Sequence, residues 1–227
     1  MSKSFFVTGT DTDCGKTLMA SGLLAAAKQQ GLSTAGIKPV AAGCLETPDG
    51  LRNDDALVLQ QYTTLLLSYE QINPVAFLPA IAPHIAAAEE GRRMTADRLA
   101  GFCRGVLTKR PDVTIIEGAG GWRVPLNDRE TLADLARQLQ LPVIMVVGMK
   151  LGCINHALLT AEAIFRDGLQ MAGWIANTID EDMVHYRQNV EAIQRRLSCP
   201  LLGEVPKLTD PGADQVLQYL DLGELLA

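Results

Sequence analysis

The sequence predicts an α/β fold: a mainly parallel sheet with helices on both faces, in one domain. Three observations lead there. Short apolar runs alternate with longer amphipathic stretches along the chain, the rhythm of repeated strand–helix units. The run Pro142-Val143-Ile144-Met145-Val146-Val147 is apolar at nearly every position, as in a strand covered on both sides. The 227 residues suit one sizeable core, and no repeat, low-complexity tract or linker divides them.

Taken in order, Phe5-Phe6-Val7 forms the first strand, followed by a glycine-rich turn and a helix over about 16–30 that Gly31 stops. Residues 35–40 read as a second strand, and 54–61, with Ala56, Leu57, Val58 and Leu59, as a short helix. The alanine- and proline-rich stretch 80–88 is a loop entering a helix, and 95–107 is a further helix. Strands at 113–116, 142–147, 171–177 and 201–205 alternate with helices at 131–139, 155–165 and 183–197.

Bulk properties exclude several functions. Net charge is −6, and the densest basic pairs, Arg92-Arg93 and Arg195-Arg196, suit solvated helix faces. No nucleic-acid or anionic-membrane partner is therefore expected. No apolar run approaches the ~20 residues of a membrane span, and Met1-Ser2-Lys3-Ser4 leads directly into a strand, unlike a signal peptide. Five cysteines without Cys-x-x-Cys spacing and three histidines argue against a disulfide framework or structural zinc, so a reducing cytoplasm is the expected location.

The residues with chemistry all follow strands, where parallel sheets bind ligands. Gly9-Thr10-Asp11-Thr12-Asp13-Cys14-Gly15-Lys16-Thr17 lies between the first strand and the first helix. It resembles a phosphate-binding Walker A loop, although five residues separate its glycines where about four are usual. Gly15 lets backbone N–H groups approach phosphate oxygens at a helix start. Lys16 suits the β- and γ-phosphates, and the Thr17 hydroxyl suits magnesium. A bare Gly-Lys-Thr would read as a solvated turn, but the strand, the first glycine and the helix together point to nucleotide binding.

Glu117 ends a buried strand and opens Glu117-Gly118-Ala119-Gly120-Gly121. It resembles a Walker B carboxylate that holds magnesium directly or through water. Lys38 ends the second strand and is placed to stabilise a transferring phosphoryl group, or else is solvated. Of Asp54 and Asp55, one caps the following helix and the other faces magnesium; spacing leaves open which. Gly152-Cys153-Ile154-Asn155 offers a second helix-start anion site, or simply an N-cap by Asn155.

These motifs match a family. The phosphate loop, Gly36-Ile37-Lys38-Pro39-Val40, Leu51-Arg52-Asn53-Asp54-Asp55-Ala56-Leu57, Asn73-Pro74, Pro83-His84, Glu117 to Trp122, Gly152-Cys153-Ile154-Asn155-His156 and Ala172-Gly173-Trp174-Ile175-Ala176-Asn177 together resemble the dethiobiotin synthetases of the enterobacterial type. The match runs in order from Thr8 to Pro206, and the five-residue gap in the loop is that family's own form. The resemblance implies a single-domain P-loop NTPase fold over residues 1–227. It also implies a cytoplasmic homodimer that uses ATP and Mg2+ to join 7,8-diaminononanoate and CO2 into dethiobiotin.

By the same resemblance, Lys16 and Lys38 stabilise phosphoryl and carbamate oxygens, and Thr12 and Asp13 lie near the reacting carbamate. Gly9, Asp13, Cys14, Gly15, Lys16, Thr17 and Leu18 cradle the nucleotide, with Gly118, Ala119 and Gly120. Thr17, Asp55 and Glu117 bind magnesium. Asn177, Pro206, Lys207 and Leu208 flank adenine. Lys38 and Ala42 face the substrate, whose carboxylate reaches Gly152, Cys153 and Asn155 across the dimer interface.

Two positions depart from the family: Asp13 replaces a common Glu, and Ala42 replaces a serine and so donates no hydrogen bond. A paralogue acting on another diamine is one alternative. Cobyrinate-type amide synthases are another, but they carry a glutaminase domain for which 227 residues leave no room. A nucleotide-switched partner-binding ATPase of the chromosome-partition kind would place a lysine early in the loop, where this chain has Thr10, Asp11, Thr12 and Asp13.

Overall fold

The computed structural model describes residues 2–209 and 211–226. The chain begins with β1 (Lys3–Gly9) and α1 (Lys16–Gln29), then β2 (Thr34–Ile37), β3 (Val40–Ala41) and the short strands β4 (Leu45–Thr47) and β5 (Gly50–Arg52). Next come α2 (Asp54–Gln61), α3 (Tyr69–Ile72), β6 (Val75–Ala76), α4 (Pro83–Glu89) and α5 (Ala96–Leu107). Strands and helices then alternate as β7 (Val113–Glu117), α6 (Leu132–Leu139), β8 (Val143–Met149), α7 (Cys153–Arg166), β9 (Met171–Thr178), α8 (Tyr186–Gln194) and β10 (Leu201–Val205). The chain closes with α9 (Ala213–Val216), a 3-10 turn (Leu217–Tyr219) and α10 (Gly223–Leu226).

The main sheet has six parallel strands in the order β10-β9-β8-β1-β7-β2. Because successive strand side chains point to opposite faces, each strand serves two cores. Phe6, Ile116, Met145 and Val147 join one core with α5, α6 and α7. Phe5, Val7, Ile115, Ile144 and Val146 join the other with α1 and the C-terminal Val216, Leu222 and Leu225. This double burial explains the continuous apolar run at 142–147. Among the described residues, no helix is long and apolar enough to cross a membrane.

Local signals set most boundaries. Thr95 caps α5 by accepting from Arg98 N–H, and Thr131 with Asp134 forms a capping box on α6. Three expectations need correction. The strand expected over 35–40 breaks after Ile37, because Lys38 N–H donates to Ile72 O at 2.8 Å and Pro39 has no N–H to give the ladder. Val40–Ala41 instead pairs with Val75–Ala76 in a separate two-stranded sheet.

The helix expected from Asn155 begins two residues earlier, at Cys153, with Gly152 as its N-cap at φ 94. The helix expected over 183–197 is confined to Tyr186–Gln194, entered through His185 in a left-handed conformation. The antiparallel hairpin of β4 and β5, the one-turn helix α3 and the C-terminal turns were not foreseen.

Candidate functional site

Every strand end that the sequence singles out lies on one edge of the main sheet. β1 delivers the glycine loop, β2 Lys38, β7 Glu117 and β9 Asn177. Within the loop, Asp13 and Gly15 both have positive φ, 56° and 92°. A side chain at Gly15 would meet Asn177 Nδ2 at 2.2 Å, so only glycine fits there. Asn177 Nδ2 donates to Cys14 O at 2.9 Å, tying β9 to the loop.

Lys16 is buried, and its ammonium donates back to Asp11 O at 2.9 Å. Cys14 is also buried, and its sulfur fills the space above Gly9, where a Cβ would lie 2.3 Å from it. That packing accounts for Cys14 as a loop filler.

Glu117 has no exposed surface. Its Oε1 accepts from Thr17 Oγ1 at 2.8 Å and from the Lys38 ammonium at 2.5 Å. Lys38 also donates to Asp55 Oδ2 at 2.8 Å and to Gly118 O at 3.3 Å. Burial by itself would lower the Lys38 pKa, but the charges of Glu117 and Asp55 outweigh it and hold the ammonium above the ordinary lysine value. Burial likewise works against the Asp55 charge, yet Lys38 foremost, with Thr17 and Lys16, keeps its carboxyl below the usual range.

The other oxygen of Glu117, Oε2, is buried without a hydrogen-bond partner. An orphaned carboxylate oxygen is costly unless a cation or donor meets it. With the Thr17 hydroxyl and the Asp55 carboxylate beside it, this donor set fits a hard divalent cation such as Mg2+.

These groups line a cleft of about 920 Å³. Thr12, Asp13, Gly15, Lys16, Thr17, Leu18, Lys38, Ala42, Asp55, Glu117, Ala119 and Gly120 all face it. Part of the lining is an apolar wall: Ala41, Ala80, Ile81, Ala82, Pro83 and Val124. That wall was missed, although Pro83-His84 was a visible motif. Alanines and prolines advertise no chemistry, and their contribution is shape.

Four placements refine the sequence reading. The helix cap on α2 is Asn53, whose side chain accepts from Ala56 N–H at 3.3 Å, so neither aspartate caps it and Asp55 is free to face the cleft. Gly118 packs against the Phe6 ring, with its carbonyl toward Lys38. Pro206 and Lys207 line a separate depression with Thr178 and Tyr186, while Leu208 packs partly buried on the α1 side. Gly152, Cys153 and Asn155 do not line the main cleft; they form the start of α7, with Gly152 and Asn155 exposed.

A parallel sheet whose first strand enters a glycine loop, Gly-Lys-Thr and a helix, opposite an acidic strand end, defines a P-loop NTPase. Solved structures agree on the fold. The chain superposes on the septum site-determining protein MinD of Pyrococcus horikoshii complexed with Mg-ADP (TM-score 0.57, 16% identity, 91% of this chain and 82% of that one). It superposes equally on a ParA family ATPase of Chlorobium tepidum (TM-score 0.57, 12% identity, 100% and 97%).

Sequence comparison goes further. Residues 3–215 match the AAA domain family. The chain is 61% identical over 224 residues to the ATP-dependent dethiobiotin synthetase BioD of Cellvibrio japonicus, covering 99% of this chain and 98% of that protein. Identity to the same enzyme of Pseudomonas aeruginosa PAO1 is 56% over 222 residues (98% and 97%). To that of Aeromonas salmonicida it is 47% over 226 residues, all of both chains. The chain belongs to the dethiobiotin synthetase family.

Proposed function

We propose that this chain makes dethiobiotin from 7,8-diaminononanoate, CO2 and ATP, releasing ADP and phosphate. One substrate amine adds to CO2 and loses a proton, giving a carbamate. A carbamate oxygen attacks the γ-phosphorus of ATP, expelling ADP and leaving a carbamic–phosphoric anhydride. The second amine then attacks the carbamate carbon, and the C–O bond to phosphate breaks as the ureido ring closes. The substrate supplies both nucleophiles, so the protein's work is binding, orientation and charge stabilisation.

Lys16 and the backbone N–H groups around Gly15 take the phosphates, and Lys38 neutralises charge on the transferring phosphoryl group and the carbamate. Thr12 and Asp13 lie at the cleft where the carbamate forms. Thr17, Asp55 and Glu117 hold Mg2+, which when bound offsets phosphate charge. Asn177, Pro206, Lys207 and Leu208 flank adenine. The apolar wall at Ala80 to Pro83, with Ala42, receives the aliphatic part of the substrate, and Ala42 does so without a hydrogen bond. In the active homodimer, in the cytoplasm, Gly152, Cys153 and Asn155 of a second copy receive the substrate carboxylate.

One observation supports this most: the buried Lys38 ammonium joins Asp55 and Glu117 where the phosphate loop meets an apolar-walled cleft. Such a site serves both a polyphosphate and an aliphatic acceptor. The test is to incubate purified protein with diaminononanoate, bicarbonate, Mg2+ and ATP and to follow dethiobiotin and phosphate together. Equal formation of both, lost in Lys16→Ala and Lys38→Ala, is expected. Phosphate release without dethiobiotin would sink the reading.

A further inference from the structure

Lys38 and Asp55 are brought together through Asn53, at the cleft wall, and through Tyr69 and Asn73, which do not line the cleft. Lys38 is gripped by its backbone as well as its head: its N–H donates to Ile72 O at 2.8 Å, and its carbonyl accepts from Asn73 Nδ2 at 2.7 Å. The Asn73 amide also donates to Val75 O at 3.3 Å, and its Oδ1 accepts from the Tyr69 hydroxyl at 3.2 Å. The same hydroxyl accepts the Asn53 N–H at 2.7 Å. Asn53 is the N-cap of α2, so the turn that carries Asp55 starts from this anchored atom. Asp55 then returns to the Lys38 ammonium at 2.8 Å and closes a ring of contacts.

The ring is built to specification. Lys38, Asn53, Tyr69 and Asn73 are all buried. The Tyr69 hydroxyl uses its one proton and one lone pair within the ring, and both faces of the Asn73 amide are engaged. The Arg52 guanidinium covers the Tyr69 ring from outside, 4.1 Å from its centroid. A one-turn helix, α3, with a capping box between Ser68 and Gln71, spaces Tyr69 from Asn73 so that one side chain reaches α2 and the other reaches β2. A fully satisfied buried network of this kind selects one geometry, where apolar packing would tolerate several.

We propose that Tyr69 and Asn73 are positioning residues for phosphoryl transfer: through the Lys38 carbonyl and the Asn53 N–H they set where the Lys38 ammonium meets the Asp55 carboxylate. Neither touches the reacting groups. The proposal rests on the roles given to Lys38 and Asp55 above.

The test uses the full chain with diaminononanoate, bicarbonate, Mg2+ and ATP, and compares Tyr69→Phe and Asn73→Ser with Val106→Ala. Val106→Ala is a core substitution on α5 that serves as a stability control. Turnover per folded molecule should fall roughly 10- to 100-fold in both variants. The KM for ATP should stay within about twofold, because the phosphate loop is untouched. The control, brought to the same melting temperature, should retain wild-type turnover. On an Asp55→Asn background, Tyr69→Phe should cost less than about twofold more, since both act on one contact.

Equal losses in the variants and the control, full multiplication with Asp55→Asn, or failure of both variants to fold would each assign Tyr69 and Asn73 to fold maintenance and overturn the proposal. Should Lys38→Ala and Asp55→Asn themselves turn over normally, the reading of the site fails first, and the positioning role with it. Loss in those two but wild-type turnover in Tyr69→Phe and Asn73→Ser overturns the positioning role alone.

Discussion

α1 and α7 leave neighbouring strands, β1 and β8, and each starts from a glycine in the left-handed region, Gly15 at φ 92 and Gly152 at φ 94. Their surroundings differ completely. A side chain at Gly15 would strike Asn177, whereas one at Gly152 would meet nothing within 4 Å. The first helical residue of α1 is a buried lysine facing the cleft; α7 starts with a buried cysteine beside Leu151, which is 90% exposed. The two helix starts thus share a local conformation and a set of oriented N–H groups. Only α1 has partners around it, from β7, β9 and the end of β2, that turn such a start into an enclosed site. A positive-φ glycine before a helix is therefore a capability, and the neighbours within the chain decide whether it becomes an enclosed site.

Substitutions at the two starts should separate them. The largest effect is expected at Lys16, which has no counterpart on α7. Lys16→Ala should reduce dethiobiotin formation roughly 100- to 1,000-fold, read as initial rate at saturating ATP; a loss under tenfold would place the phosphate charge elsewhere. Next, Gly15→Ala should abolish ATP binding in a nucleotide titration and lower the melting temperature well beyond Gly152→Ala. The latter bears only the left-handed backbone cost, about 1 kcal/mol, or ~2–4 °C for a chain of this size. Its ATP affinity should be unchanged and its KM for diaminononanoate raised. Equal melting losses at both positions would mean that Asn177 yields freely to a new side chain.

A smaller effect is expected at the strut between β9 and the loop. Asn177→Ala leaves Cys14 O without its side-chain donor, a loss of about 1 kcal/mol, or ~fivefold in ATP affinity by titration calorimetry. Smallest is a chemical contrast at the start of α7. A helix N-terminus ordinarily favours a thiolate, but burial foremost pushes the Cys153 thiol above its ordinary pKa, against the backbone N–H bonds that oppose it. The neutral thiol should then predominate through pH 8, with reactivity rising only as pH climbs past the ordinary thiol value. Iodoacetamide labelling followed by peptide mass spectrometry should find Cys153 modified far more slowly in folded than in unfolded protein. Rapid modification of the folded form at pH 8 would show that the helix start outweighs burial.

Much of the fold is written locally. Apolar runs with glycine and threonine at their ends mark nearly every strand and helix of the main sheet, because burial on two faces and helix capping both act over a few residues. The phosphate loop was legible despite its extra residue, since the strand, the glycine and the helix around it are neighbours in sequence. Asp55 and Glu117 were legible as candidates, but spacing left open the division of labour between Asp54 and Asp55, and only the family resemblance singled out Asp55. The cap that decides it, Asn53, stood in view with no signal that its side chain rather than an aspartate's would accept from Ala56 N–H. Tyr69 gave no signal, since one aromatic residue in a short helix reads as core.

By itself, then, the sequence determined the α/β class, the order of elements and the identity of the phosphate loop. Each follows from hydrophobic period and short-range backbone preference. The tertiary structure alone decided that Lys38 stops its strand, meets Asp55 and Glu117 across 17 and 79 residues and is anchored by Asn73. It also decided that one glycine-led helix start is enclosed while the other is open. Those outcomes depend on electrostatic and hydrogen-bond partners supplied by distant strands, and no local preference encodes which distant group will arrive.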